Sequence, residues 1–140
     1  SPKFTLETVG KPYFVTTEGS MSSEGLAKWG DEVVVFPAGN PPADYLELIA
    51  EGMARARQAV NSGDYDLVVL DEVNVALLFG LVKWEDLLEI IDGKPDSVEL
   101  VLTGRGAPPE LIERADLVTE MKEIKHYYTK GVEVRRGIEG

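Results

Sequence analysis

The stretch Asp66-Leu67-Val68-Val69-Leu70-Asp71-Glu72-Val73-Asn74 decides how the chain is read. Its four consecutive apolar residues suit a strand and are too few for a helix. A run without polar alternation is the pattern of a strand covered on both faces, as in a parallel sheet. Asp71 and Glu72 then stand side by side at the carboxyl tip of that strand.

Working outward toward the amino end, Asn61-Ser62-Gly63-Asp64 is a turn. Ahead of it, Leu46, Ile49, Met53, Ala56 and Val60 recur at helical spacing, which predicts an amphipathic helix over 43–60. Residues 38–42 read as a loop. Val33-Val34-Val35-Phe36 is a second short apolar run, closed by Pro37 and read as another strand buried on both faces. Tyr13-Phe14-Val15-Thr16-Thr17, between Pro12 and Gly19, is a further strand.

Toward the carboxyl end, Trp84, Leu87, Leu88 and Ile91 mark a helix closed by Gly93 and Pro95. Residues 98–103 form a strand that leads into Gly104-Arg105-Gly106. Pro108-Pro109 opens a short helix through Arg114, where proline is well placed at a helix start. Residues 117–121 and 132–134 read as two more strands. Strands alternating with helices predict one α/β domain over residues 1–140 with a mostly parallel sheet.

Composition narrows the chemistry. The chain carries 25 acidic and 14 basic side chains, for a formal charge of −11, and a surface this acidic repels a phosphate backbone. Its densest basic spot is Lys122, Lys125, Lys130, Arg135 and Arg136, so nucleic acid is not an expected partner. Nothing approaches the roughly 20 apolar residues of a membrane span, and Ser1-Pro2-Lys3-Phe4 has no signal-peptide character. The cytoplasm is the expected location. The absence of cysteine removes disulfides, thiolate metal sites and a cysteine nucleophile together, and the single histidine, His126, removes a histidine-rich metal site.

Ligands of open parallel sheets sit at the carboxyl ends of strands. One such end carries Asp71 and Glu72, which is the Walker B arrangement: a carboxylate holding Mg²⁺ beside nucleotide phosphates. The competing reading is that Asp71 caps the next helix and Glu72 is merely solvated. The other end carries Thr103, Gly104, Arg105 and Gly106. Glycines let backbone approach a ligand while the guanidinium forms paired bonds to phosphate oxygens. The competing reading is a glycine turn with a surface arginine. His126 and Lys125 are candidate ligand contacts, with a structural or surface histidine as the alternative. Trp29 and Trp84 read as packing residues.

These pieces together resemble the P-loop type of ATP:corrinoid adenosyltransferase. The matching text is Tyr65-Asp66-Leu67-Val68-Val69-Leu70-Asp71-Glu72-Val73-Asn74, then Val101-Leu102-Thr103-Gly104-Arg105-Gly106-Ala107-Pro108-Pro109-Glu110-Leu111-Ile112. It continues through Ala115-Asp116-Leu117-Val118-Thr119-Glu120-Met121, Ile124-Lys125-His126, Gly131 and Gly137-Ile138-Glu139. The resemblance runs from about Asp64 to the end of the chain. It implies a doubly wound, RecA-like fold of the P-loop NTPase type. It also implies transfer of the 5′-deoxyadenosyl group of ATP to the cobalt(I) of a reduced corrinoid, with triphosphate released. Asp71 and Glu72 would serve Mg²⁺, while Asn74, Thr103, Gly104 and Arg105 would lie near the nucleotide. A homodimer and a reducing flavoprotein partner are further implications.

Two departures stand out. No G-x-x-x-x-G-K-[ST] loop occurs in the 140 residues, and Gly10-Lys11-Pro12 is no substitute because proline occupies the place of the metal-binding hydroxyl. The expectation is that a strand–P-loop–helix unit precedes Ser1 in a longer protein. Many relatives also carry an aromatic Phe-Thr-Trp stretch that helps expel the corrinoid's lower axial ligand. The corresponding residues 17–23 hold no aromatic side chain, so the resemblance does not carry that step over. Two other functions fit the same residues: an ATPase or GTPase of this fold with another coupled task, and a non-catalytic corrinoid-binding or dimerisation module.

Overall fold

From Val33 onward strands and helices alternate as the sequence predicts. The structure, a computed structural model, describes residues 4–11, 14–17, 19, 33–37 and 39–132. The elements are β1 (Phe14–Thr17), β2 (Val33–Phe36), α1 (Ala43–Asn61), β3 (Leu67–Leu70), α2 (Val73–Leu78), α3 (Trp84–Gly93), β4 (Glu99–Leu102), α4 (Pro109–Arg114) and a 3₁₀ turn (Tyr127–Lys130). Two compact units divide the chain, Ser1–Pro108 and Pro109–Gly140.

Both sheets of the first unit are parallel pairs. β1 runs beside β2, with Phe14 opposite Val33 and Thr17 opposite Phe36. β3 runs beside β4, with Leu67 opposite Glu99 and Leu70 opposite Leu102. Parallel neighbours require a crossover, and α2 with α3 occupies the one between β3 and β4. The protein is thus a small α/β fold built on parallel pairing.

The core lies where the helical stripes meet. Tyr45 and Ile49 of α1 cluster with Val73 of α2, Leu81 and Val82 of the following turn, and Leu87 of α3. Met53, Trp84, Ile91, Leu70 and Leu102 pack around that cluster, so the last residues of β3 and β4 are anchored from below. Leu87 and Ile90 are essentially sealed from solvent, worth about 1.5–3 kcal/mol each in apolar burial. Gly52, buried on α1, leaves room for the side chain of Val9, which holds the segment 4–11 against that helix.

Three expectations are corrected. β3 is not buried on both faces: Leu67 and Val69 are 54% and 50% exposed, while Val68 and Leu70 turn inward. β2 likewise leaves Val35 exposed and buries Phe36. A strand needs helices on both sides to hide both faces, and only one side of β3 is covered among the described residues. Residues 117–121 are not a strand. They find no ladder partner among the described residues, and Leu117 and Met121 stand exposed, so β propensity alone could not form one. Val132 is in no strand, and 133–134 lie outside the described residues, as does Trp29. One element escaped the sequence reading: α2 is a single short helix that opens at Val73 and runs into the apolar stretch after Asn74, and no side-chain cap announces it.

Candidate functional site at the tips of β3 and β4

Parallel pairing with Leu70 opposite Leu102 makes the next residues of the two strands, Asp71 and Thr103, neighbours. The ladder continues past both strands, because the Thr103 N–H donates to the Leu70 carbonyl at 3.2 Å. The acidic tip and the arginine turn therefore share one edge of the same two-stranded sheet.

Four hydrogen bonds stitch the turns together. The Glu72 N–H donates to Thr103 Oγ1 at 2.9 Å, and that hydroxyl donates to Asp71 Oδ1 at 2.5 Å. The Asn74 N–H donates to the Thr103 carbonyl at 3.1 Å, and Asn74 Nδ2 donates to the Gly104 carbonyl, also at 3.1 Å. Asp71 is thus tied to the opposite turn and is no helix cap, since α2 has no side-chain cap bond.

Backbone geometry at the site is unusual in two places. Glu72 adopts φ 58° and ψ 18°, the one non-glycine positive φ among the described residues. Such a conformation costs on the order of 1–3 kcal/mol and persists only where the surroundings enforce it. Gly104 has φ 117°, and a Cβ there would lie 3.2 Å from the Val75 nitrogen and 3.3 Å from Glu72 Cα. Only glycine allows the two turns to approach this closely.

One buried polar atom at the site is left without a partner among the described residues. Asn74 is buried at 5% exposure, and its Oδ1 has no hydrogen-bond partner among the described residues. A buried acceptor without a donor is costly, and in native proteins it marks a water, an ion or a ligand group. The carboxylates of Asp71 and Glu72 are exposed, as is Arg105. No cluster of three or more His, Cys, Asp or Glu occurs among the described residues. The adjacent Asp71 and Glu72 offer carboxylate oxygens alone. That set fits Mg²⁺, which takes one or two carboxylates and completes its shell with waters and phosphates.

Of the residues singled out from the sequence, Asp71, Glu72, Asn74, Thr103, Gly104 and Arg105 come together. His126 and Lys125 belong to the second unit. His126 is half-buried with its ring 4.7 Å from that of Tyr127, and its carbonyl accepts from Thr129 Oγ1 at 2.7 Å. Lys125 is exposed. Residues 18 and 20–23 of the aromatic-free stretch lie outside the described residues. The left-handed Glu72 and the linking role of Thr103 were missed, because no residue pattern marks them. No helix among the described residues is long and apolar enough to cross a membrane.

Comparison with known proteins supplies the context for this arrangement. Residues 21–140 match the model of the family described as ATP:corrinoid adenosyltransferase BtuR/CobO/CobP. A corrinoid adenosyltransferase of Pseudomonas aeruginosa is 43% identical over 84 residues, covering 60% of this chain and 41% of the relative. One from a Sinorhizobium species is 37% identical over 95 residues, covering 67% and 44%. The corrinoid adenosyltransferase CobA of Salmonella typhimurium is 30% identical over 74 residues, covering 53% and 38%. The chain therefore spans less than half the length of each of these relatives.

Proposed function

The chain belongs to the ATP:corrinoid adenosyltransferase BtuR/CobO/CobP family, and on that premise we propose that the protein transfers the 5′-deoxyadenosyl group of ATP to the cobalt of a reduced corrinoid. Cobalt(I) attacks the ribose 5′ carbon, a cobalt–carbon bond forms, and the bond from that carbon to the triphosphate oxygen breaks. Its electron pair leaves with triphosphate, and cobalt is formally oxidised to cobalt(III). Because the cobalt is the nucleophile, no side chain has to attack. The protein's part is to position the nucleotide and stabilise charge on the leaving group.

The residues divide that work. Asp71 and Glu72 hold Mg²⁺, which when bound neutralises triphosphate charge. Arg105 pairs with phosphate oxygens, and Gly104 lets its turn approach them. Asn74 and Thr103 lie at the nucleotide's edge, and Lys125 and His126 are contacts for a substrate. Residues 1–140 belong to one doubly wound, RecA-like domain of the P-loop NTPase type. The protein works in the cytoplasm as a homodimer with a reducing flavoprotein.

The observation that carries this reading is the Thr103 hydroxyl bonded to both Glu72 and Asp71, because it draws the acidic tip and the arginine turn into one site. The full-length protein, given Mg²⁺-ATP and chemically reduced cob(I)alamin, is expected to form a light-sensitive cobalt–carbon product and an equal amount of intact triphosphate. Diphosphate and phosphate without an alkylated corrinoid would identify a nucleotide hydrolase of the same fold instead.

A further inference from the structure

Thr103 sits at the centre of the site, and its hydroxyl proton and one of its two lone pairs are engaged within the protein. Oγ1 accepts from the Glu72 N–H at 2.9 Å, so its single proton is directed to Asp71 Oδ1 at 2.5 Å. Each bond in such a chain polarises the next. Asp71 is left with Oδ2 to offer a cation. Glu72, meanwhile, stands in a left-handed conformation with its amide on the same hydroxyl.

We infer that Thr103 is a positioning residue that sets both acids for the cation, orienting Asp71 through its Oδ1 and turning Glu72 outward. The inference rests on the magnesium reading proposed above. A threonine that only filled space in a surface turn would be replaced by valine at no cost, since the two have the same shape. A threonine that orients ligands loses that role with its hydroxyl and regains it in serine. Groups that orient metal ligands typically change metal affinity by about 10–100-fold when removed.

The test uses Thr103→Val and Thr103→Ser in ¹⁵N-labelled protein, with Mn²⁺ as a paramagnetic substitute for Mg²⁺. Amide exchange at Glu72, read without metal, reports the positioning role alone. It is expected to be severalfold faster in Thr103→Val and unchanged in Thr103→Ser; equal exchange in all three proteins would overturn the role. Broadening of the Asp71 and Glu72 signals by Mn²⁺ is expected at a midpoint about tenfold or more higher in Thr103→Val, and within about twofold of wild type in Thr103→Ser. Equal midpoints in wild type and Thr103→Val would overturn the inference with the metal site intact. Wild-type protein that shows no broadening at either acid would contradict the metal reading itself, and with it the purpose assigned to Thr103.

Discussion

Asn74 Nδ2 donates to the carbonyl oxygen of Gly104 at 3.1 Å, joining the start of α2 to the turn that carries Arg105. The same residue's backbone N–H donates to the Thr103 carbonyl. Asn74 is therefore a strut between the two turns. Removing the side chain takes away this part-buried hydrogen bond, at a cost of about 1 kcal/mol. Asn74→Ala should lower unfolding stability in urea by that amount with an unchanged slope, and Asn74→Asp, which sets an acceptor against a carbonyl, should do no better. Stability within about 0.5 kcal/mol of wild type, the usual scatter of inconsequential surface changes, would remove the strut.

Glu72 stores backbone strain in its left-handed conformation. Glu72→Gly and Glu72→Ala both delete the carboxylate, but only glycine relieves the strain. Glu72→Gly should be more stable than Glu72→Ala by about 1 kcal/mol in thermal or urea unfolding, while both lose Mg²⁺-dependent nucleotide use. A glycine variant no more stable than the alanine variant would show that the conformation carries no strain.

Much of this was legible beforehand, and the reasons are specific. Leu67-Val68-Val69-Leu70 and Val33-Val34-Val35-Phe36 announce strands because short apolar runs have few other uses. The stripe from Leu46 to Val60 announces α1 because helical spacing accumulates over many residues. The pairing of the two tips followed from strands of one parallel sheet ending in polar turns. What was not legible depended on partners. Whether both faces of β3 are covered is set by what packs on Leu67 and Val69, and 117–121 needed a neighbouring strand that no local pattern supplies. α2 is six residues long and apolar apart from Asn74, so no period distinguishes it. The bond from Thr103 to Asp71 spans the whole crossover, and residue types alone carry no sign of it.

Gly104 combines a positive φ with close backbone contact, whereas Gly63 has φ 78° and nothing within 4 Å of its missing Cβ. Gly104→Ala should cost about 1–3 kcal/mol and separate the two turns. Gly63→Ala, which adds conformational strain alone, should cost about 1–2 kcal/mol and leave amide signals at Asp71 and Arg105 in place. Thermal unfolding of both variants measures the difference, and equal shifts at the site would contradict the close approach.

The Lys11 ammonium bonds to the Asp44 carboxylate at the start of α1 and lowers that carboxyl below its ordinary value of 3.8. A depressed folded value means that the ion pair favours the folded state above about pH 3.8 and that this contribution is lost as pH falls through the folded value. Carboxyl titration by NMR should place Asp44 lower in wild type than in Lys11→Met. Identical titration in the two proteins would show that the ammonium does not act on Asp44.

The central claim is that the turn after Leu70 and the turn after Leu102 form one binding site for magnesium and triphosphate. Titrating magnesium tripolyphosphate into the labelled full-length protein, and following the amides of Asp71, Glu72 and Asn74 with those of Thr103, Gly104 and Arg105, tests it directly. Both groups should shift with a single midpoint that rises when Mg²⁺ is withheld. Movement of one group alone, or of neither, would contradict the account.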